Sequence, residues 1–145
     1  MKRVFYLLFA VIFAVSCEGP MGPPGPAGND GADWDFETFT INQWDIDTQN
    51  GLFYAEFTVP KLTQRIYNDG VVVAYIETGS GANKIKTPLP YTIQNIDNTG
   101  YEWTEVLDFS YALRKITFFI NPSDFDTSAG ISLNTPTKIY VIFLY

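Results

Sequence analysis

The side chains in this chain that could do chemistry are mostly carboxylates. Histidine is absent, which excludes Ser-His-Asp and Cys-His catalysis and every His-ligated metal site. Acids gather in three places: Asp33, Asp35 and Glu37; Asp45 and Asp47, just ahead of Asn50-Gly51; and Asp124 with Asp126. Calcium takes about six to eight oxygens, and two Asp at alternate positions beside a turn supply only part of such a shell. Asp45, Asp47 and Asn50 come nearest to a calcium site. The competing reading is a solvated turn whose side chains bond their own backbone, and nothing matches an EF-hand loop. Hydrolysis by paired carboxylates needs two acids about 5–10 Å apart in a cleft, one of them with a raised pKa. Glu56, Glu102, Glu105 and Asp108 fall in alternating patterns that read as solvent-facing. No enzyme, catalytic residue or cofactor is therefore expected.

Aromatic residues are the other conspicuous group, with twelve Phe, nine Tyr and three Trp. In a β domain without disulfides most of them must build the core. Trp44, Tyr54 and Tyr75 fall on faces or strand ends that read as open to solvent. Sugar rings stack on such side chains, so these three are the candidate ligand-binding residues of a carbohydrate-binding module. Ordinary packing and cross-strand pairing is the competing explanation.

Cys17 is the one cysteine, so no intrachain disulfide can form. Lys2 and Arg3 precede an apolar run from Val4 to Val15, and Ser16 places a small residue before Cys17. That is the layout of a secretory signal peptide over residues 1–16. The run is shorter than the roughly 20 residues a helix needs to cross a bilayer. Ala14-Val15-Ser16-Cys17 resembles a bacterial lipobox, whose cysteine is acylated, with palmitate among the acyl chains, and becomes the mature N-terminus. The alternative is a free thiol beside a conventional cleavage site. Two or three acyl chains would hold the protein on a membrane, at about 0.8 kcal/mol per buried methylene. The expected location is the cell envelope, with the outer membrane favoured. Loss of residues 1–16 removes two cations and no acid, which takes the formal charge from −7 to −9. Such a surface repels nucleic acid.

These residues are positioned by two contrasting segments. Glycine recurs at positions 19, 22, 25, 28 and 31, with Pro20, Pro23, Pro24 and Pro26 between. This is the collagen pattern, in which only Gly fits the axis of three polyproline-II chains. Residues 17–32 read as a stalk, either a stiff spacer of roughly 45 Å or the seat of a homotrimer. From Asp33 to Tyr145 aromatic and β-branched residues alternate with polar ones, and turn signals recur. The expected fold is all-β, an antiparallel sandwich of seven or eight strands, jelly-roll or immunoglobulin-like. Phe53, Ala55, Phe57 and Val59 share one strand face, as do Val72, Ala74 and Ile76, and Ile116, Phe118 and Ile120. Tyr101, Trp103, Leu107 and Phe109 form another such set. Lys138 to Tyr145 is apolar on both faces and reads as a central strand. Asn50-Gly51 marks a hairpin turn. Leu62 to Asn68 is the one short helix expected, and Thr78–Thr87 and Asn121–Pro136 are the longer loops.

The whole chain resembles a group of small collagen-like lipoproteins of Bacteroidetes. The resemblance rests on Cys17-Glu18-Gly19-Pro20 opening the triplets and on the Trp-rich start of the domain. It rests further on Phe57-Thr58-Val59-Pro60, Ile66-Tyr67-Asn68-Asp69-Gly70 and Thr87-Pro88-Leu89-Pro90-Tyr91. It implies an envelope lipoprotein with a C-terminal β domain of unknown function and no catalytic residues. The leading expectation is a non-enzymatic sandwich that mediates protein contacts or self-association. The alternative is a carbohydrate-binding surface module of a glycan-capture system. A flat apolar patch or open strand edge favours the first, and a row of coplanar exposed aromatics favours the second.

Overall fold

The computed structural model describes residue 31 and residues 33–133 and 135–145. The signal segment, Cys17 and nearly all of the Gly-X-Y tract lie outside the described residues. Nine strands occur among them: β1 (Trp34–Ile41), β2 (Asp45–Asp47), β3 (Leu52–Thr58), β4 (Val71–Thr78), β5 (Ile85–Pro88), β6 (Tyr91–Ile96), β7 (Glu102–Ala112), β8 (Lys115–Pro122) and β9 (Thr137–Leu144). They form two sheets, in the orders β1-β9-β4-β5 and β2-β3-β8-β7-β6, and the pairings are antiparallel. The all-β sandwich expected from the alternation is the fold. The strand count exceeds seven or eight because β2 has three residues and β5 four. β5 takes Ile85–Thr87 from the expected loop, which periodicity cannot resolve at that length.

Alternation dictates the core. Phe39 and Ile41 of β1, Val72, Ala74 and Ile76 of β4, and Ile139, Val141 and Phe143 of β9 are buried from the first sheet. Phe53 and Ala55, Leu107, and Ile116, Phe118 and Ile120 are buried from the second. Phe39 joins the two, its ring centroid 5.0 Å from that of Phe57 and 5.4 Å from that of Phe118. β9 is central in its sheet, as its two apolar faces require.

The connections follow local chemistry. β2 and β3 are joined by a tight turn in which Gly51 takes φ +64°, a conformation glycine adopts without Cβ strain. A side chain there would also meet the Phe125 carbonyl at 2.8 Å. The chain passes from β3 to β4 through α1 (Gln64–Asp69). Thr63 Oγ1 accepts from the Ile66 N–H and caps that helix, while Leu62 and Ile66 close one end of the core.

Two sequence expectations need correction. Trp44 does not face solvent; it is 8% exposed and belongs to the core. It lies between β1 of the first sheet and β2 of the second, where the chain changes sheets and a large ring fills the corner. Glu105 is 1% exposed rather than solvent-facing, because it shares the inward face of β7 with Leu107.

Candidate functional site

Each sheet has an outward face, and the two differ in chemistry. On the second sheet, paired residues place Asp45, Tyr54, Phe119 and Asp108 side by side, then Glu56, Thr117 and Ser110, then Thr58, Lys115 and Ala112. Polar groups interrupt every row, and Lys115 pairs with Glu56 at 2.9 Å. This is an ordinary solvated face.

The first sheet presents rows of another kind. Trp34, Leu144 and Val71 stand abreast, followed by Phe36, Ile142 and Val73, and then by Thr38, Tyr140, Tyr75 and Pro88. The fourth row, Thr40, Lys138, Glu77 and Lys86, is charged. Trp34 is 65% exposed and Phe36 56%, with their rings stacked at 6.2 Å and 25°. Trp34, Phe36, Tyr75, Tyr140, Ile142 and Lys86 line a shallow depression of about 350 Å³. The charged row anchors its rim. Tyr140 Oη donates to Glu77 Oε2 at 2.9 Å, and Lys84 Nζ donates to Glu77 Oε1 at 2.8 Å. Lys84 first, and then Tyr140, holds the Glu77 carboxyl below its ordinary value. Lys86 Nζ lies 3.6 Å from the centroid of the Tyr140 ring, a cation–π contact.

The aromatic candidates from sequence separate on this framework. Tyr75 lies on the apolar shelf, half-buried; Tyr54 is half-buried on the solvated face of the other sheet; Trp44 is internal. The three do not form one surface. Alternation concealed Trp34 and Phe36, because an outward face normally reads as polar. Their signal was Trp34-Asp35-Phe36 immediately after the last triplet.

The calcium candidates form a turn. Asp47 Oδ1 accepts from the backbone N–H groups of Gln49 and Asn50 at 3.0 and 3.1 Å, and Oδ2 accepts from Asn50 Nδ2 at 2.7 Å. These bonds, that from the Asn50 side chain first, lower the Asp47 pKa. Asp45 pairs across the ladder with Tyr54. Among the described residues no group of three or more His, Cys, Asp or Glu is placed to hold a metal ion. The other expected clusters are also local: Asp35 pairs with Lys61 at 2.9 Å, and Asp124 and Asp126 accept from backbone N–H groups two residues on.

Glu105 has a structural task. Ser132 N donates to its Oε2 at 3.0 Å, Ser132 Oγ to its Oε1 at 3.0 Å, and Trp103 Nε1 to Oε1 at 3.4 Å. Ile131 and Leu133, on either side of Ser132, pack on the core. The carboxylate thus pins the long loop over the inward face of the second sheet.

No family model, curated protein or solved structure matches this chain.

Proposed function

We propose that this protein is a non-enzymatic, lipid-anchored component of the cell envelope whose sandwich associates with further copies of itself through the apolar face of the first sheet. One observation carries the reading. Trp34, Leu144, Val71, Phe36, Ile142 and Val73 make two consecutive rows without a charge on an outward sheet face. Contiguous apolar patches above a few hundred Å² are rare on monomers and mark contact surfaces. Flat sheets carrying such faces pack on one another about 10 Å apart.

A second copy is the occupant that the chain itself favours. β1 begins directly after Gly31-Ala32-Asp33, the last triplet of the collagen-like tract, so a tract that gathered copies would gather them at the strand that carries Trp34 and Phe36. Tethering to one membrane through Cys17 raises local concentration in the same sense. The similarity to collagen-like lipoproteins of Bacteroidetes agrees with this placement in the envelope.

Sedimentation equilibrium of residues 33–145, which fall within the compact unit Ala32–Tyr145, tests the reading. Reversible self-association is expected, weakened at least tenfold by Trp34→Ser with Phe36→Ser while the melting temperature is retained. A domain that stays monomeric at every concentration, or whose association ignores both substitutions, refutes it.

A further inference from the structure

Two open sheets leave four edge strands, β1 and β5 in the first and β2 and β6 in the second. Three of them carry features that discourage pairing with another chain. β1 sets Asp35 and Glu37 on the inward side that it shares with Phe39 and Ile41, and Lys61 pairs with Asp35 at 2.9 Å. β2 has three residues, two of them Asp. β5 has four, with Lys86 among them and Pro88 at its end. β6 differs. Tyr91-Thr92-Ile93-Gln94-Asn95-Ile96 runs for six residues with neither a charge nor a proline.

Register shows which backbone groups of β6 face outward. Just past the β6–β7 ladder Asp97 N donates to Tyr101 O at 3.0 Å, and on the other side of β7 Ser123 N donates to Thr104 O at 2.8 Å. Bonded and non-bonded pairs alternate along an antiparallel ladder. Tyr91, Ile93 and Asn95 therefore direct their N–H and C=O groups at their partners Leu107, Glu105 and Trp103. Thr92, Gln94 and Ile96 turn theirs away from the sheet. Among the described residues none of these three makes a backbone bond outside the ladder. All three are exposed, Ile96 by 65%.

We infer that β6 pairs antiparallel with β6 of a second copy, joining two five-stranded sheets into one continuous sheet. One register fits. With Gln94 opposite Gln94 of the second copy, Thr92 of each chain stands opposite Ile96 of the other, and every outward N–H and C=O finds a partner. Sliding one strand by two residues sets Ile96 opposite Pro90, which has no N–H, or Thr92 opposite Asn98, past the strand end. A slip of one residue turns the faces of one copy over. The side chains suit a copy of the same strand. A glutamine amide both donates and accepts, so two placed abreast satisfy each other. In a chain of formal charge −7 this edge brings no like charges together, since Asp97 falls opposite Tyr91. The contact does not use the first sheet. Where the apolar face also pairs, as proposed above, two different two-fold contacts per chain extend pairs into a row.

Disulfide trapping reads this register. Residues 33–145 hold every strand and the core and contain no cysteine. Bonded partners in an antiparallel pair lie about 5.5 Å apart at Cα, within the disulfide range of about 4.4–6.8 Å. Under mild copper-catalysed oxidation Gln94→Cys should form covalent dimers at least tenfold faster than Thr92→Cys. The two copies of position 92 lie four residues out of register, roughly 13 Å at about 3.4 Å per residue. Mixing Thr92→Cys with Ile96→Cys chains should give the crossed dimer at least tenfold faster than either forms its own. Both preferences should survive Trp34→Ser with Phe36→Ser, so a domain that fails to associate through the first sheet still reports on this edge. Equal rates for Gln94→Cys and Thr92→Cys leave β6 to solvent or to an unrelated strand and overturn the inference. So does a mixture without excess crossed dimer, or a preference that vanishes with the two Ser substitutions.

Discussion

Replacing Glu105 tests whether one internal carboxylate holds the long loop onto the sandwich. Glu105 is 1% exposed and receives two bonds of 3.0 Å from Ser132 and a longer one of 3.4 Å from Trp103 Nε1. A hydrogen bond to a charged group contributes about 1.5–3 kcal/mol. The two short bonds together make Glu105→Ala cost about 3–6 kcal/mol, much of a typical stability of about 5–15 kcal/mol. Glu105→Gln keeps the shape and one acceptor oxygen, and should cost about 1–2 kcal/mol as charge assistance is lost. Glu105→Leu fills the space beside Leu107 but leaves Ser132 N–H and Trp103 Nε1–H without their acceptor. Removing a buried charge offsets part of that loss, so its stability should lie between those of the Ala and Gln variants. Urea unfolding reads the midpoints at constant slope, and hydrogen exchange reads the loop directly. Protection around Ser132 should fall in all three variants before the core strands lose theirs. If Glu105→Leu matches the parent in both stability and loop protection, the carboxylate does not hold the loop.

Further outcomes follow from the same structure. Phe118 is fully buried, with ring centroids 5.4, 6.1 and 6.4 Å from Phe39, Phe57 and Phe109; Phe118→Ala should cost about 3–5 kcal/mol in urea unfolding. Tyr54→Ala, on the solvated face, should cost only about 1 kcal/mol, and equal losses would mean that both faces of β3 are buried. Bonds from the Thr99 side chain and then from the Tyr101 backbone lower the Asp97 pKa below 3.8. A depressed carboxylate stabilises the fold above its unfolded value and loses that contribution as pH falls through the folded one. Thermal melts should therefore decline below about pH 4, less steeply in Asp97→Asn, and identical acid limbs would contradict this. Cys17→Ser should abolish palmitate labelling and release the protein from the envelope fraction; continued labelling removes the lipid anchor from the proposal.

Much of the fold was legible because period-two alternation records which side of a strand meets the core. Phe53 and Ala55, Val72 to Ile76, Ile116 to Ile120 and the doubly apolar β9 lie where that rule puts them. The rule failed where a position's environment was made by a distant segment. Glu105 reads as one more acid in an alternating strand, yet Ser132, 27 residues away in sequence, supplies its bonds. Trp44 reads as an exposed strand end, but it sits where the chain crosses between sheets. Trp34 and Phe36 stand exposed on an outward face, which the sequence could not show because it does not reveal which sheet faces lack a covering layer.

The sequence by itself determined the strand chemistry, the turn at Gly51, the one short helix after Leu62 and the exclusion of histidine chemistry, since each depends on residue type and near-neighbour spacing alone. Only the tertiary structure decided which strands stand abreast. Strand order β1-β9-β4 places Trp34, Leu144 and Val71 in one row although they are far apart in the chain. The antiparallel pairing of β6 with β7 sets Asn95 against Trp103. A surface is made by register between strands, and register is fixed by the packing of the entire sandwich rather than by any one segment.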